Sequence, residues 1–71
     1  MSFVKNRSIL YLILRDEFED GYVVHTAVCC ICKTVERAEE LRGEYEQAMI
    51  DKGADKNQFS FYVIGNTFYD S

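Results

Sequence analysis

The sequence predicts an α+β fold of element order β-β-α-β: a three-stranded antiparallel sheet, strand order 2-1-3, with one helix packed on one face. Two apolar, β-branched runs flank an Asp-Gly pair, one long segment repeats its apolar residues at helical spacing, and an aromatic run follows it. The 71 residues read as one domain, 1–71, near the lower size limit for a chain that folds alone. Such a chain has to bury most of its apolar side chains, and the material is present: the hydrophobic fraction is 48%, with five Phe and five Tyr. Proline is absent and the four glycines lie singly, which leaves no linker-like stretch and no glycine-rich phosphate loop.

Residues 8–15, SILYLILR, are almost continuously apolar between polar flanks, the pattern of a strand buried on both faces. DEFEDG follows, and Asp20-Gly21 is a two-residue hairpin signal, because a type I′ turn demands the positive φ that glycine tolerates. Residues 22–33, YVVHTAVCCICK, are β-branched and aromatic without a helical period, so they form the return strand. An uninterrupted ladder from that turn sets Leu10 opposite Ile31, Leu12 opposite Cys29, Leu14 opposite Ala27, Asp16 opposite His25 and Phe18 opposite Val23. The reverse face then carries Ile9, Tyr11, Ile13, Tyr22, Val24, Val28, Cys30 and Cys32, so both faces of the hairpin are apolar along its far half.

Thr34 is placed to cap a helix over 35–52. Val35, Ala38, Leu41, Tyr45, Ala48 and Met49 make its apolar stripe. Glu36, Glu39 and Glu40 sit toward the positive end of the helix dipole, Lys52 toward the negative end, and Gly53 stops the helix. GADKNQ is a polar connection to a third strand, FSFYVIGNTFYD (59–70), in which Phe59, Phe61 and Val63 alternate against Tyr62, Ile64 and Phe68. The central place in the sheet suits the most uniformly apolar strand, the first.

One helix shields one face of such a sheet and leaves an apolar second face to be covered. A second copy of the chain is the expected cover, since two-fold homodimers are the commonest assemblies. The alternative cover is a short extra strand from Met1–Asn6, using Phe3 and Val4.

VVHTAVCCICKT (23–34) holds all three cysteines and the only histidine. A structural zinc site takes four ligands, usually as short-spaced pairs on turns, whereas an unbroken strand points Cys30 and Cys32 one way and Cys29, with His25, the other. A nucleophilic thiol needs an adjacent base, and His25 lies roughly 13 Å from Cys29 along a strand. The cysteines therefore read as small buried hydrophobes. Asp16 and His25 resemble half of a hydrolytic triad, but no hydroxyl or thiol completes it on their face, and they read as a cross-strand pair near the turn. DEFEDG begins like a calcium loop and fails at its third and twelfth positions, which are Phe18 and Ala27. No catalytic residue, metal or cofactor is expected, and the chain reads as non-enzymatic.

A net charge of -4 argues against a non-specific grip on nucleic acid, and the rival reading that keeps one places it on Lys5, Arg7 and Lys33. No apolar run approaches the roughly 20 residues of a membrane span, and MSFVKNRSIL lacks the long apolar core of a signal peptide. Three cysteines, two of them adjacent, make a poor disulfide framework, which places the chain in a reducing cytoplasm.

The ILYLIL strand, the acidic DEFEDG turn, the second strand, the T-x-E-x-A-E helix start at Thr34, Glu36, Ala38 and Glu39, and the aromatic FSFYVIGNTFYD strand together resemble the small uncharacterised ββαβ proteins of tailed-phage genomes and some bacteria. The resemblance covers nearly the whole chain and carries over no catalytic or binding residue. What it implies is a cytoplasmic protein that works by binding, in the specific form of an inhibitor of a host enzyme or defence complex.

The expected function is protein binding, with a protein partner and a homodimeric state, and with neither nucleic acid nor membrane. The expected contact surface is the acidic hairpin loop Asp16, Glu17, Phe18, Glu19 and Asp20, followed by the helix face at Glu36 and Glu40. The alternative is a homo-oligomer that holds a small ligand or nucleotide in a pocket at the subunit seam.

Overall fold

The strands β1 (Asn6–Glu19), β2 (Tyr22–Cys32) and β3 (Phe59–Asp70) and the helix α1 (Val35–Asp51) occur in the expected order in a computed structural model, which describes residues 6–70, with side chains over 8–68. All strand pairs are antiparallel and the sheet order is β2-β1-β3, with α1 crossing from one edge strand to the other. The extra strand expected of Met1–Asn6 lies outside the described residues, apart from Asn6, which opens β1. The side chains of Lys5 and Arg7 lie outside them too.

β1 outruns the apolar run 8–15 at both ends. Asp16 and Glu17 pair with Thr26 and His25 on β2 and with Ser60 and Phe59 on β3, so the acidic segment is strand rather than loop. The ladder pairing on both sides satisfies the backbone there, and only Asp20 and Gly21 remain for the turn. Their φ angles of 53° and 82° are the paired positive values of a type I′ turn, as the Asp-Gly signal predicts.

The expected hairpin register holds next to that turn, where Phe18 faces Val23 and Glu19 faces Tyr22. It then slips twice. Val24 and Cys29 are each an extra residue on β2, so that Glu17 faces His25, Asp16 faces Thr26, Leu14 faces Val28, Ile13 faces Cys30 and Leu12 faces Ile31. The expected pairs Leu10–Ile31, Leu12–Cys29, Leu14–Ala27 and Asp16–His25 are therefore corrected. Each bulge turns the following β2 side chains to the other face, since side chains alternate with a period of two. A regular ladder carried on from the turn would face Ile13 with Val28, whereas the slipped one brings Cys30 opposite Ile13 and Cys32 opposite Tyr11, beneath the helix.

Thr34 caps α1 as expected: its hydroxyl oxygen accepts from the Arg37 N–H at 3.2 Å. At the other end Lys52 is the cap, Gly53 takes φ 87°, the Gly53 N–H donates to Ile50 O at 2.9 Å and the Ala54 N–H to Met49 O at 3.0 Å. This Schellman closure needs a left-handed residue just past the cap, which is the place of glycine here. In the GADKNQ connection, the Asp55 carboxylate accepts from the Asn57 N–H at 2.9 Å and opens a short 3-10 turn, Lys56–Gln58.

The core lies between α1 and the face of β1 and β3 that carries Ile13, Phe59 and Phe61, with Cys32 and Ala38 buried among them. Ile13 and Ala38 are 0% exposed, which sets the closest approach of helix to sheet. Tyr45 stacks on Phe61 at 6.1 Å between centroids, and Phe59 meets Phe61 edge-on at 5.5 Å. Leu41, Tyr45, Met49 and Ile50 pack onto this core, but Val35 and Ala48 of the expected stripe are exposed. Ile50, outside the expected stripe, packs onto the core instead.

The lengths of these elements decide how much they cover. A helix of 17 residues spans about 26 Å at ~1.5 Å per residue, whereas 14 strand residues span about 46 Å at ~3.3 Å each. The described chain is accordingly a thin, elongated slab of 54 × 24 × 12 Å. The helix covers the middle of one face, leaving the hairpin tip and the β1–β3 ribbon beyond it.

Candidate functional site

The face of the sheet away from α1 has no cover among the described residues. Along β1 it presents Leu10, Leu12 and Leu14, with Asp16 and Phe18 toward the hairpin tip, and Ile31 and Val28 flank the leucines on β2. On β3 the same face carries Tyr62, Ile64, Asn66 and Phe68. Ile31 and Val28 are 56% and 55% exposed, and Phe68 is 41% exposed. Side-chain alternation follows directly from the strand geometry, so a β1 run that is apolar at every position has to offer one apolar row to each side, the leucines to this face and Ile9, Tyr11 and Ile13 to the other. α1 takes the other row.

The polar end of this face is built around Asp16. Its Oδ1 accepts from the Thr26 hydroxyl at 2.7 Å and from the Tyr62 hydroxyl at 3.1 Å, so one carboxylate joins all three strands. Burial of the Tyr62 phenol, and then the Asp16 carboxylate beside it, raise the Tyr62 pKa above the ordinary tyrosine value. Sequence reasoning missed this cluster because the unshifted register set Asp16 against His25. His25 is instead level with Glu17, at 4.0 Å between Nε2 and Oε2, on the helix side of the sheet and away from Asp16.

The residues expected to bind a partner are not gathered into one surface. Asp16 and Phe18 point to the open face, and Glu17 and Glu19, on alternate positions, point to the other. Asp16 is engaged by Thr26 and Tyr62, and Glu17 by Arg15 at 3.6 Å. Phe18 is half-buried, and Glu19 and Asp20 are exposed at the tip. On the helix, Glu40 pairs with Arg37, while Arg42 bridges Glu39 and Glu46 at 3.3 Å each. Glu36 is exposed. Much of the acidic helix face is thus neutralised along its own surface, at a few tenths of a kcal/mol per pair.

The cysteines all lie on the helix side. Cys30 and Cys32 face it through the strand alternation, and the bulge brings Cys29 against the core as well, which corrects the expectation that Cys29 points the other way. Burial raises the Cys32 thiol pKa, with Cys30 adding to the effect and Arg37 opposing it. A raised pKa suppresses the thiolate, the opposite of what an activated nucleophile needs. Tyr45 is likewise pushed up by burial and by Cys30, Cys29 and Cys32 around it. Among the described residues there is no pocket and no group of three His, Cys, Asp or Glu residues placed to hold a metal ion. Among them, too, no helix is long and apolar enough to cross a membrane.

Comparisons with protein-family models, with curated proteins and with solved structures find no match to this chain.

Proposed function

We propose that this chain is a non-enzymatic protein-binding module and that its binding surface is the open sheet face. The observation that carries the proposal is the contiguous apolar row of Leu10, Leu12, Leu14, Val28, Ile31 and Ile64 on a face that no element covers among the described residues. Leaving such a patch in water is costly, and a protein surface of matching flatness removes it from solvent. The resemblance to phage-type ββαβ proteins gives the reading its specific form: an inhibitor of a host enzyme or defence complex, acting in the host cytoplasm. In that form the acidic side chains that remain exposed, Glu19, Asp20 and Glu36, supply an outer surface for the host protein.

The test is a capture experiment with two tagged baits in lysate of the native host, the wild type and a Leu12→Glu/Ile64→Glu variant with verified secondary structure. A protein held by the wild type and lost by the variant, untagged copies of this chain included, supports the proposal. Identical proteins held by both baits, or none by either, reject the open face as a binding surface.

A further inference from the structure

We infer that the occupant of the open face is a second copy of this chain, packed face to face with its strands antiparallel to those of the first. The inference rests on the open-face reading above and names its partner.

Area is the first support. Three strands at ~4.8 Å spacing, over about ten residues of ~3.3 Å, present a projected face of roughly 450–500 Å² per copy. Two such faces together approach the ~1,000 Å² that a specific interface requires. Flat, twisted sheets pack this way at about 10 Å separation with the strand directions offset by about 30°. The slab is 12 Å thick, so one copy has no depth with which to bury these side chains itself.

Polarity selects the orientation. A two-fold axis along the strands would set each Asp16 over the other Asp16, two carboxylates facing across a dry seam, which is strongly disfavoured. An axis across the strands, passing between Leu12 and Leu14, interleaves the leucines of the two copies instead. It also sets Asp16 over Leu10 of the second copy, with Asn66 of that copy alongside, because Asn66 is level with Leu10. The Asn66 Oδ1 already accepts from the Thr67 N–H at 2.9 Å, so its amide N–H₂ is left to donate to the incoming carboxylate. The same operation brings Phe18 level with Ser8, the partner of Phe68 on β3, so half-buried Phe18 and exposed Phe68 of the two copies lie side by side. The Asp16 carboxylate thus gains an amide donor beside Leu10, and the same contacts recur on both copies, as an isologous interface demands.

The experiment is sedimentation or light scattering of the purified full chain at tens of micromolar. The expected mass is twice the 8.3 kDa of the chain, falling by half in Leu12→Glu and, as a second variant at an already exposed position, in Ile64→Lys. Orientation is read by cross-linking with a short bismaleimide. A mixture of Ser8→Cys and Phe18→Cys chains links above the wild-type background, and Asp16→Cys does not link to itself. A wild-type monomer overturns the inference. If that monomer still captures a foreign protein that Leu12→Glu/Ile64→Glu loses, the binding reading stands without self-association; if both baits behave alike, both fail. A dimer that survives the open-face variants, or one in which Asp16→Cys links to itself, overturns the proposed seam.

Discussion

Ile13→Ala is the substitution that tests the core most directly. Ile13 is fully buried, sits on central β1 between Cys30 and Val63, and lies under α1 beside Ala38. Removing three carbons forfeits about 2.4 kcal/mol at ~0.8 kcal/mol each. Strands paired on both sides cannot close the hole, and a residual cavity of ~50–60 Å³ adds about 1.3 kcal/mol at ~24 cal/mol per Å³. The total, about 3–4 kcal/mol, compares with a stability of roughly 4–10 kcal/mol for a 71-residue chain at 0.05–0.15 kcal/mol per residue. Urea unfolding followed by circular dichroism measures it: with a slope of ~1 kcal/mol/M the midpoint falls by about 3 M, or the variant is unfolded without urea. Leu12→Ala is the control, one residue away but on the open face. At a dilution where the chain is monomeric it costs about 1 kcal/mol or less, since its half-buried side chain leaves no closed cavity. A loss below 1 kcal/mol at Ile13, or a larger loss at Leu12 than at Ile13, would refute the assignment of the core to the α1 side.

Tyr62 titrates above ordinary tyrosine when followed by absorbance at 295 nm, and Asp16→Asn moves it back toward the usual value by removing the neighbouring negative charge. Because the folded pKa is the higher one, the protonated phenol's contribution to stability is fully present below the ordinary tyrosine pKa and is lost as pH rises through the folded value; a Tyr62 titration identical in folded and urea-unfolded protein contradicts this. Thr34→Ala removes the acceptor of the Arg37 N–H and lowers stability by about 1 kcal/mol, whereas Thr34→Ser leaves it nearly unchanged in the same unfolding assay. Gly21→Ala forces a side chain into φ 82° at the hairpin turn and costs about 1 kcal/mol, although nothing lies within 4 Å of the added carbon; a neutral result would mean that the turn is not type I′. Cys32 resists alkylation at neutral pH until the protein unfolds, and rapid labelling of the native chain at that residue would show that burial does not control its thiol.

What was legible in the chain was its local chemistry. The run ILYLIL reads as strand with two apolar faces, Asp20-Gly21 as a turn, Thr34 and Gly53 bracket one helix, and the alternation Phe59, Phe61, Val63 against Tyr62, Ile64, Phe68 assigns the two faces of β3. The candidate site was legible only as a surplus: more apolar positions on the sheet than one helix can cover. Which side chains make up that surplus was not, and neither was the anchoring of Asp16 by Thr26 and Tyr62, because Tyr62 lies 46 residues from Asp16 in the chain and Thr26 comes opposite it only through the slipped register.

The sequence by itself determined the elements, their order and the two-sided apolarity of β1, because turn chemistry, capping and side-chain alternation act over a few residues. Tertiary structure alone decided the register beyond the turn, the face each cysteine takes and the reach of the helix. The bulges at Val24 and Cys29 each shift β2 by one residue, and a one-residue shift has no strong local signature. At Cys29 it is settled by which β2 side chains fit beneath α1 against Ile13 and Tyr11, a packing contest between segments far apart in the chain, and the leucine face stays uncovered among the described residues.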